Sequence, residues 1–255
     1  MAFSTRLMIA LGLLGLAGAY LLFIENNSWG LYGLIPCILL FMIVYVSSGS
    51  IDWWALKRNP PQLPGSIREM LIRFFPPFTQ LPESEVLDFE QKLGMFIKAK
   101  EFIPMGVKDI PEDIKYLIAA QALILSRKKE NWLLEPYFRI VLYPHPFLSP
   151  EISETVHTSE LYEEDGVLIF SLEQLLPGFF SWGKHFNLCT YEWARAYYSL
   201  FPEEKDELKD YLPENIPTVF QPEEVKKFIG LDLLDRPAYL KSLAITFDAK
   251  SFLKS

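Results

Sequence analysis

One segment of this 255-residue chain combines aromatic, acidic and basic residues in an unusual order: Asn187-Leu188-Cys189-Thr190-Tyr191-Glu192-Trp193-Ala194-Arg195-Ala196-Tyr197-Tyr198. In a helix, Tyr191 and Arg195 lie on one face because they are four residues apart, and Glu192 stands beside the first of them. Taken alone, a glutamate three residues before an arginine is a common ion pair on a helix surface. The rest of the sequence is needed to distinguish a solvent-exposed helix face from a functional site.

The segment has the spacing of the H-E-x-x-H motif. In that motif two histidines on one helical face hold Zn²⁺, and the glutamate beside the first handles a proton. Here Tyr191 and Arg195 stand at the histidine positions and Glu192 at the glutamate position. Neither replacement suits the metal, since a neutral phenol is a poor ligand and a guanidinium has no lone pair to donate. The pattern predicts a peptidase-like scaffold without its metal chemistry.

Two apolar runs stand near the N-terminus, Leu7–Ile24 and Trp29–Val46, separated by four polar residues. As helices, each would be about 27 Å long, close to the lower limit for crossing a bilayer. The alternative is a pair of buried core helices, although soluble domains rarely use two uninterrupted apolar helices in succession. Ala17-Gly18-Ala19 resembles a signal-peptidase site, but the first run continues to Ile24, which favours an uncleaved anchor. We predict a transmembrane helical hairpin over residues 1–50, with the lipid bilayer as a partner.

The basic residues that flank these runs predict the orientation of the hairpin. The loop between the runs contains no basic residue, and cytoplasmic ends carry the excess of Lys and Arg. We therefore expect a two-pass membrane protein whose N-terminus and C-terminal domain are both cytoplasmic. The flanking basic residues are Arg6 before the first run and Lys57, Arg58, Arg68 and Arg73 after the second.

Charge and cysteine content narrow the function classes. The net charge is −8, and the hairpin holds one Arg and one Glu, so this charge belongs to the remainder of the chain. Nucleic-acid binding needs a basic face, so we expect no nucleic-acid partner. Cys37 lies in an apolar run and Cys189 in the 187–198 segment, which predicts free thiols, as in a reducing compartment.

The residues after the hairpin predict a linker and one domain. Three prolines disfavour helix in residues 51–65, which we expect to form a juxtamembrane Pro-rich linker before a domain over 66–255. Apolar spacings of three and four predict helices over 67–75, from Pro82 and after Pro111. Residues 139–143 and 167–171 have the short β-branched and aromatic pattern of strands. The predicted fold class is α+β, predominantly helical with few short strands.

Several segments, in the same order along the chain, resemble one family, the Mlc titration factor A-like, glucose-regulated zinc metallopeptidases. The resemblance covers roughly residues 64–200 and implies a zincin-like metallopeptidase domain and an interaction with a transcriptional regulator of sugar uptake. The matching segments are Leu81–Glu85, Phe96–Phe102, the I-A-A-Q-A sequence Ile118–Ala122, Ile140–Phe147, Gly166–Gly178 and Phe186–Arg195.

The departures from the family pattern concern the metal ligands. Both histidines of the motif are absent, while Glu192 remains. The family's later acidic ligand, in an E-F-F-A-like segment, has its nearest counterpart here in Ile245-Thr246-Phe247-Asp248-Ala249, which lacks the glutamate. Catalytic zinc needs three protein donors and a water, so we expect no metal and no other cofactor. Zinc would be bound only if other residues of the chain form a non-standard metal site.

A buried glutamate without its metal would be a costly unpaired charge. We expect Tyr191, Glu192 and Arg195 to form a closed polar plug in the former metal pocket, with Tyr191 stacked on the guanidinium. The alternative is that Arg195 extends to solvent. Two other chemistries are also open: a Cys189–His185 thiol–base pair, and a metal held by His145, His157 and His185.

These observations predict a membrane-anchored, cytoplasmic metallopeptidase-like protein that is catalytically inactive and that binds a protein or peptide partner. By family resemblance, the partner is a transcriptional regulator. Two alternatives stay open. One is an active zinc-dependent peptidase with a non-standard metal site, and the other is a structural membrane-hairpin protein.

Overall fold

The computed structural model describes residues 2–148, 156–211, 213, 216–230 and 233–254. The chain forms two compact units, Met1–Pro61 and Gln62–Ser255, with the boundary in the proline-rich stretch.

The first unit consists of three helices: α1 (Phe3–Phe23), α2 (Trp29–Val46) and α3 (Ser48–Arg58). Helices α1 and α2 pack closely because a glycine stands where they approach. A Cβ atom on Gly30 would lie 2.5 Å from the carbonyl oxygen of Gly18, so no larger residue fits there. Asp52 ties α3 to the start of α1, since its carboxylate accepts hydrogen bonds from the Ser4 backbone N–H and Oγ, each at 2.7 Å.

Helices α1 and α2 are long and apolar enough to span a membrane. Their mean hydropathies are 1.9 and 2.1, and 6% and 11% of the residues in their most apolar 18-residue stretches are buried. The apolar surface of these helices is therefore open, as a lipid-facing helix requires, whereas a core helix of a soluble domain would be covered. The two predicted apolar helices are confirmed as helices of sufficient length.

The segment predicted as a linker, 51–65, contains helical residues. Helix α3 extends to Arg58, and the next helix begins at Gly65, so the non-helical stretch is 59–64. The prolines act at that stretch, because proline lacks the backbone N–H that a helix interior needs.

Within the described residues, the second unit contains nine α-helices, two short 3-10 helices (Pro202–Glu204 and Thr218–Phe220) and six strands. The strands are β1 (Glu101–Pro104), β2 (Arg139–Tyr143), β3 (Phe147–Leu148), β4 (Val156–His157), β5 (Ser159–Tyr162) and β6 (Val167–Ser171). The helices are α4 (Gly65–Phe74), α5 (Pro76–Thr79), α6 (Glu83–Ala99), α7 (Glu112–Ser126), α8 (Leu172–Phe180), α9 (Leu188–Leu200), α10 (Pro222–Ile229), α11 (Arg236–Phe247) and α12 (Ala249–Lys254). The fold is predominantly helical with few strands, as predicted.

Four strands form a mixed sheet in the order β1-β2-β6-β5. Strands β1, β2 and β6 are parallel, and β5 lies antiparallel to β6 at the edge, with Ser159 opposite Phe170. Inward side chains of the two central strands are fully buried, among them Ile140, Leu142 and Leu168. The predicted strands β2 and β6 are present, and β1 and β5 complete the sheet on either side.

Helix α9 lies at the centre of the unit. It packs against α7, α8, α11 and β5, and ten of its 13 residues are buried. Small side chains on α7, including Ala119, Ala120 and Ala122, are fully buried and permit close approach of its neighbours. The segment that carries the candidate site is therefore a core helix and not a solvated surface helix.

Candidate functional site

The start of α9 is fixed by its N-cap. Asn187 Oδ1 accepts a hydrogen bond from the Thr190 backbone N–H at 3.1 Å, which satisfies one of the free amides of the first turn. His185 therefore lies before the helix and is exposed, whereas Cys189 is buried within it. Burial, reinforced by the charge of Glu192, raises the pKa of Cys189 well above its ordinary value. The thiol–base alternative for Cys189 and His185 is wrong, because the two side chains occupy different environments.

Glu192 is fully buried, and both of its carboxylate oxygens are engaged. Oε1 accepts a hydrogen bond from Ser159 Oγ at 2.6 Å, and Oε2 accepts one from Arg195 Nη1 at 2.8 Å. The two donors come from the edge strand β5 and from the next turn of α9. A buried carboxylate is stabilised by such charge-assisted hydrogen bonds, so this pairing offsets the cost of its burial.

Arg195, which the sequence pattern places at one histidine position of the motif, is a permanent cation. The neighbouring Glu192 charge raises the pKa of Arg195 above its ordinary value, more than burial lowers it. The side chain of Arg195 is 25% exposed, so the guanidinium pairs with Glu192 and also reaches the surface. Each of the two sequence interpretations of Arg195, the plug and the solvent-directed side chain, describes part of this geometry.

The sequence pattern places Tyr191 at the other histidine position of the motif. Its hydroxyl oxygen accepts a hydrogen bond from the Asp235 backbone N–H at 3.1 Å, and its ring packs against Phe186 at a centroid distance of 5.7 Å. Burial, with a further contribution from Glu192, raises the pKa of Tyr191, which keeps the phenol neutral. Within the described residues, the ring contact of Tyr191 is with Phe186 rather than with the guanidinium, so the expected stacking on Arg195 is not part of the plug.

Asp235 is the later acidic residue that lies beside this site. Asp235 is the N-cap of α11, and its Oδ1 accepts the Ala238 backbone N–H at 3.0 Å. Its charge contributes to raising the pKa of both Tyr191 and Arg195. Asp248, in the segment that is the nearest counterpart of the family's later acidic ligand, is the C-cap at the opposite end of α11. Asp235, at the N-terminal end of α11, is therefore the acidic residue of this region that lies beside Tyr191.

Two further residues of the site were not identified from sequence as functional. No sequence pattern indicated Ser159, because its hydrogen bond to Glu192 depends on the pairing of β5 with β6. Gln121 lies in the I-A-A-Q-A sequence of α7, and its Oε1 accepts a hydrogen bond from Thr190 Oγ1 at 2.5 Å. That buried contact ties α7 to the first turn of α9, so the recognised sequence segment supports the site helix directly.

Tyr191, Glu192 and Arg195 do not fit zinc. A guanidinium and a neutral phenol are poor zinc ligands, and the Glu192 carboxylate is held by Ser159 and Arg195. Within the described part of the chain, no three His, Cys, Asp or Glu side chains converge as metal ligands. His145 Nδ1 instead lies 2.8 Å from Glu173 Oε2 at the surface, and His157 is buried in β4. The three-histidine site is therefore wrong for these residues.

Comparisons with known proteins agree with the resemblance seen in the sequence. A family model described as glucose-regulated metallo-peptidase M90 matches residues 51–196, a range that includes Tyr191, Glu192 and Arg195. An uncharacterized protein of Synechocystis sp. is 24% identical over 226 residues, which cover 74% of this chain and 81% of that protein. Because the family model spans more than half of the chain, the chain belongs to the glucose-regulated metallo-peptidase M90 family.

Proposed function

We propose that this protein is a catalytically inactive, membrane-anchored member of its family that binds a peptide or protein segment beside α9. The observation that carries the proposal is the state of Glu192, whose two oxygens each accept a short hydrogen bond from a buried or half-buried donor. A general base needs a lone pair within reach of the proton that it abstracts. In this arrangement Glu192 is fully buried and each of its oxygens is already paired with a protein donor, and the positions beside it provide no metal ligand.

The edge strand β5 supports a binding role. It packs against α9, and its first residue donates to Glu192, so one edge of the sheet lies directly beside the site. An extended peptide can add to an exposed sheet edge through main-chain hydrogen bonds, with side-chain pockets giving specificity.

The combination of a mixed sheet, an antiparallel edge strand and a buried site helix also supports a zincin-like fold for residues 66–255.

The membrane anchor gives such binding a location. Helices α1 and α2 are open and apolar, and the excess of basic residues lies outside the loop between them. This supports a two-pass topology with both the N-terminus and the C-terminal domain in the cytoplasm. A tether raises the local concentration of a partner at the membrane. By family resemblance, the partner is a transcriptional regulator.

Metal content tests the inactive state. The full chain, purified in detergent, should contain well below one Zn²⁺ per chain, and Tyr191→His/Arg195→His should take up zinc with Glu192 and Asp235 close by. Glu223→His/Lys227→His provides the matched control, since it places two histidines four apart on the exposed face of α10 without a pocket. About one tightly held zinc in the unmodified protein would instead favour an active peptidase with a non-standard site.

Peptide selection tests the binding role. Peptides enriched from a random library on the full chain should bind without being cleaved, and their binding should raise the unfolding temperature. Cleavage of the enriched peptides that a metal chelator abolishes would overturn the proposal in favour of an active enzyme. Failure to enrich any peptide, with no zinc present, would favour a purely structural membrane-hairpin protein.

A further inference from the structure

A cavity of about 380 Å³ lies at the C-terminal end of α9, where α7, α11 and α12 meet. We call it the Lys241 cavity. It lies on a different face of α9 from Glu192, because Tyr197, which lines it, is five residues further along the helix. The other charged and aromatic side chains of its wall include Lys128, Lys129, Glu204, Glu207 and Phe252.

Lys241 is the central group of this cavity. Its side chain is 3% exposed, and its Nζ lies 4.0 Å from the ring centroid of Tyr197 and 4.6 Å from that of Tyr198. The aromatic faces attract the cation. Its carboxylate contact, with Glu204 Oε2, is 4.0 Å long, and within the described residues Lys241 Nζ donates no hydrogen bond. The positive charge is therefore buried among aromatic rings with a distant counter-ion.

The carboxylate of Glu204 is already committed to other donors. Lys129 Nζ donates to Oε1, and the hydroxyl of Tyr197 donates to Oε2. These contacts contribute to lowering the pKa of Glu204, against the effect of its own burial. For Lys241, burial outweighs the nearby glutamates and lowers the pKa to about 8. Glu204 thus compensates Lys129 more fully than it compensates Lys241.

Arg127, in the same wall, shows how a purely structural cation is satisfied. Its Nε donates to Glu85 at 3.0 Å, Nη1 to the Ile124 carbonyl at 3.0 Å and Nη2 to the Leu253 carbonyl at 2.8 Å. Lys241 lacks such a set of acceptors although it is equally buried. This contrast indicates that the cavity leaves room for an acceptor that the chain does not supply.

We propose that the Lys241 cavity binds a small molecule that carries a phosphate or carboxylate group, with Lys241 and Lys128 as its cationic partners. The volume lies in the range of small-ligand pockets. Ammonium groups bind oxyanions through charge-assisted hydrogen bonds, which are strengthened where water is excluded. The ring of Tyr197 and the side chain of Phe252 supply the apolar wall for the remainder of the ligand. The site is independent of the function proposed for the α9–β5 region.

Protection of Lys241 from chemical acylation tests the proposal on the unmodified full chain. Amine labelling in detergent, mapped by mass spectrometry, should slow about tenfold at Lys241 when inorganic phosphate is present at ten times its dissociation constant. Lys227, an exposed lysine paired with Glu224, is the internal control and should label at the same rate throughout. Succinate at equal ionic strength separates carboxylate from phosphate recognition. Labelling of Lys241 that neither anion slows would overturn the proposal.

A thermal-shift series supplies the second measurement. Phosphate should raise the unfolding temperature of the unmodified chain and of Lys227→Met by the same amount, and the rise should be smaller in Lys241→Met. Phosphate also stabilises proteins by exclusion from their surface, and this effect does not depend on Lys241. An equal rise in Lys241→Met would therefore show exclusion alone and would refute a specific anion site.

Discussion

Arg195→Ala tests the central feature of the site, the ion pair within the core helix α9. The substitution leaves the fully buried Glu192 carboxylate with one remaining hydrogen bond, from Ser159 Oγ at 2.6 Å. Removing one partner of a buried ion pair typically costs about 3–5 kcal/mol, because the other charge stays buried without compensation. The Arg195 side chain is 25% exposed, so solvent can screen part of the remaining charge. We expect a loss of about 2–3 kcal/mol in the free energy of unfolding at pH 7.

The assay is urea unfolding of the full chain in detergent, followed by tryptophan fluorescence, because Trp193 is buried on the same helix. Arg139→Ala is the matched control, since its 3.2 Å ion pair with Glu101 is 48% and 58% exposed and should contribute about 0.5 kcal/mol or less. In a Glu192→Gln background, Arg195→Ala should cost much less than it does alone. A loss within about 0.5 kcal/mol, or an equal loss in both backgrounds, would refute the buried pair.

Three further predictions concern the framework of the site. Gly230→Ala should destabilise the fold by more than about 2 kcal/mol, because φ is +83° and the new Cβ would lie 2.4 Å from the Val156 carbonyl oxygen. Gly183→Ala is the control, since its φ is +73° but the space around it is open, and it should cost about 1 kcal/mol. Equal losses for the two variants in denaturant unfolding would contradict this prediction. Thr190→Val should cost about 1–3 kcal/mol of unfolding free energy, because buried Gln121 Oε1 loses the hydrogen bond that Thr190 Oγ1 donates to it at 2.5 Å. A Gln121→Leu/Thr190→Val double variant should recover part of this loss in the same assay. Burial lowers the pKa of Lys100 from its ordinary value of 10.5 to about 7, so its protonation opposes folding, and this penalty should fade as the pH rises from about 7 toward 10.5. Unfolding curves of Lys100→Met should lack this pH-dependent gain, and an identical pH profile would contradict the prediction.

Local patterns allowed much of the fold to be predicted from sequence. The apolar runs of α1 and α2, the three-and-four spacing before Pro76 and the β-branched runs of β2 and β6 each express a preference of neighbouring residues. The 51–65 segment was less well predicted, because its first residues continue helix α3 and only the prolines interrupt the backbone hydrogen bonds. Short strands such as β5 carry little pattern of their own, so their existence depends on the partner strand.

The sequence by itself determined that Tyr191, Glu192 and Arg195 share a helix, since their spacing in a helix brings Glu192 and Arg195 within reach of each other. It also determined that two of the motif's metal ligands are absent. Only the tertiary structure decided that Ser159, 33 positions before Glu192, donates a hydrogen bond to Oε1 of its carboxylate. It also decided that the backbone N–H of Asp235, 44 positions after Tyr191, donates to the Tyr191 hydroxyl. The physical reason is that helix periodicity is a local property. Contacts between distant segments depend on how the sheet edge and α11 pack against the buried face of α9.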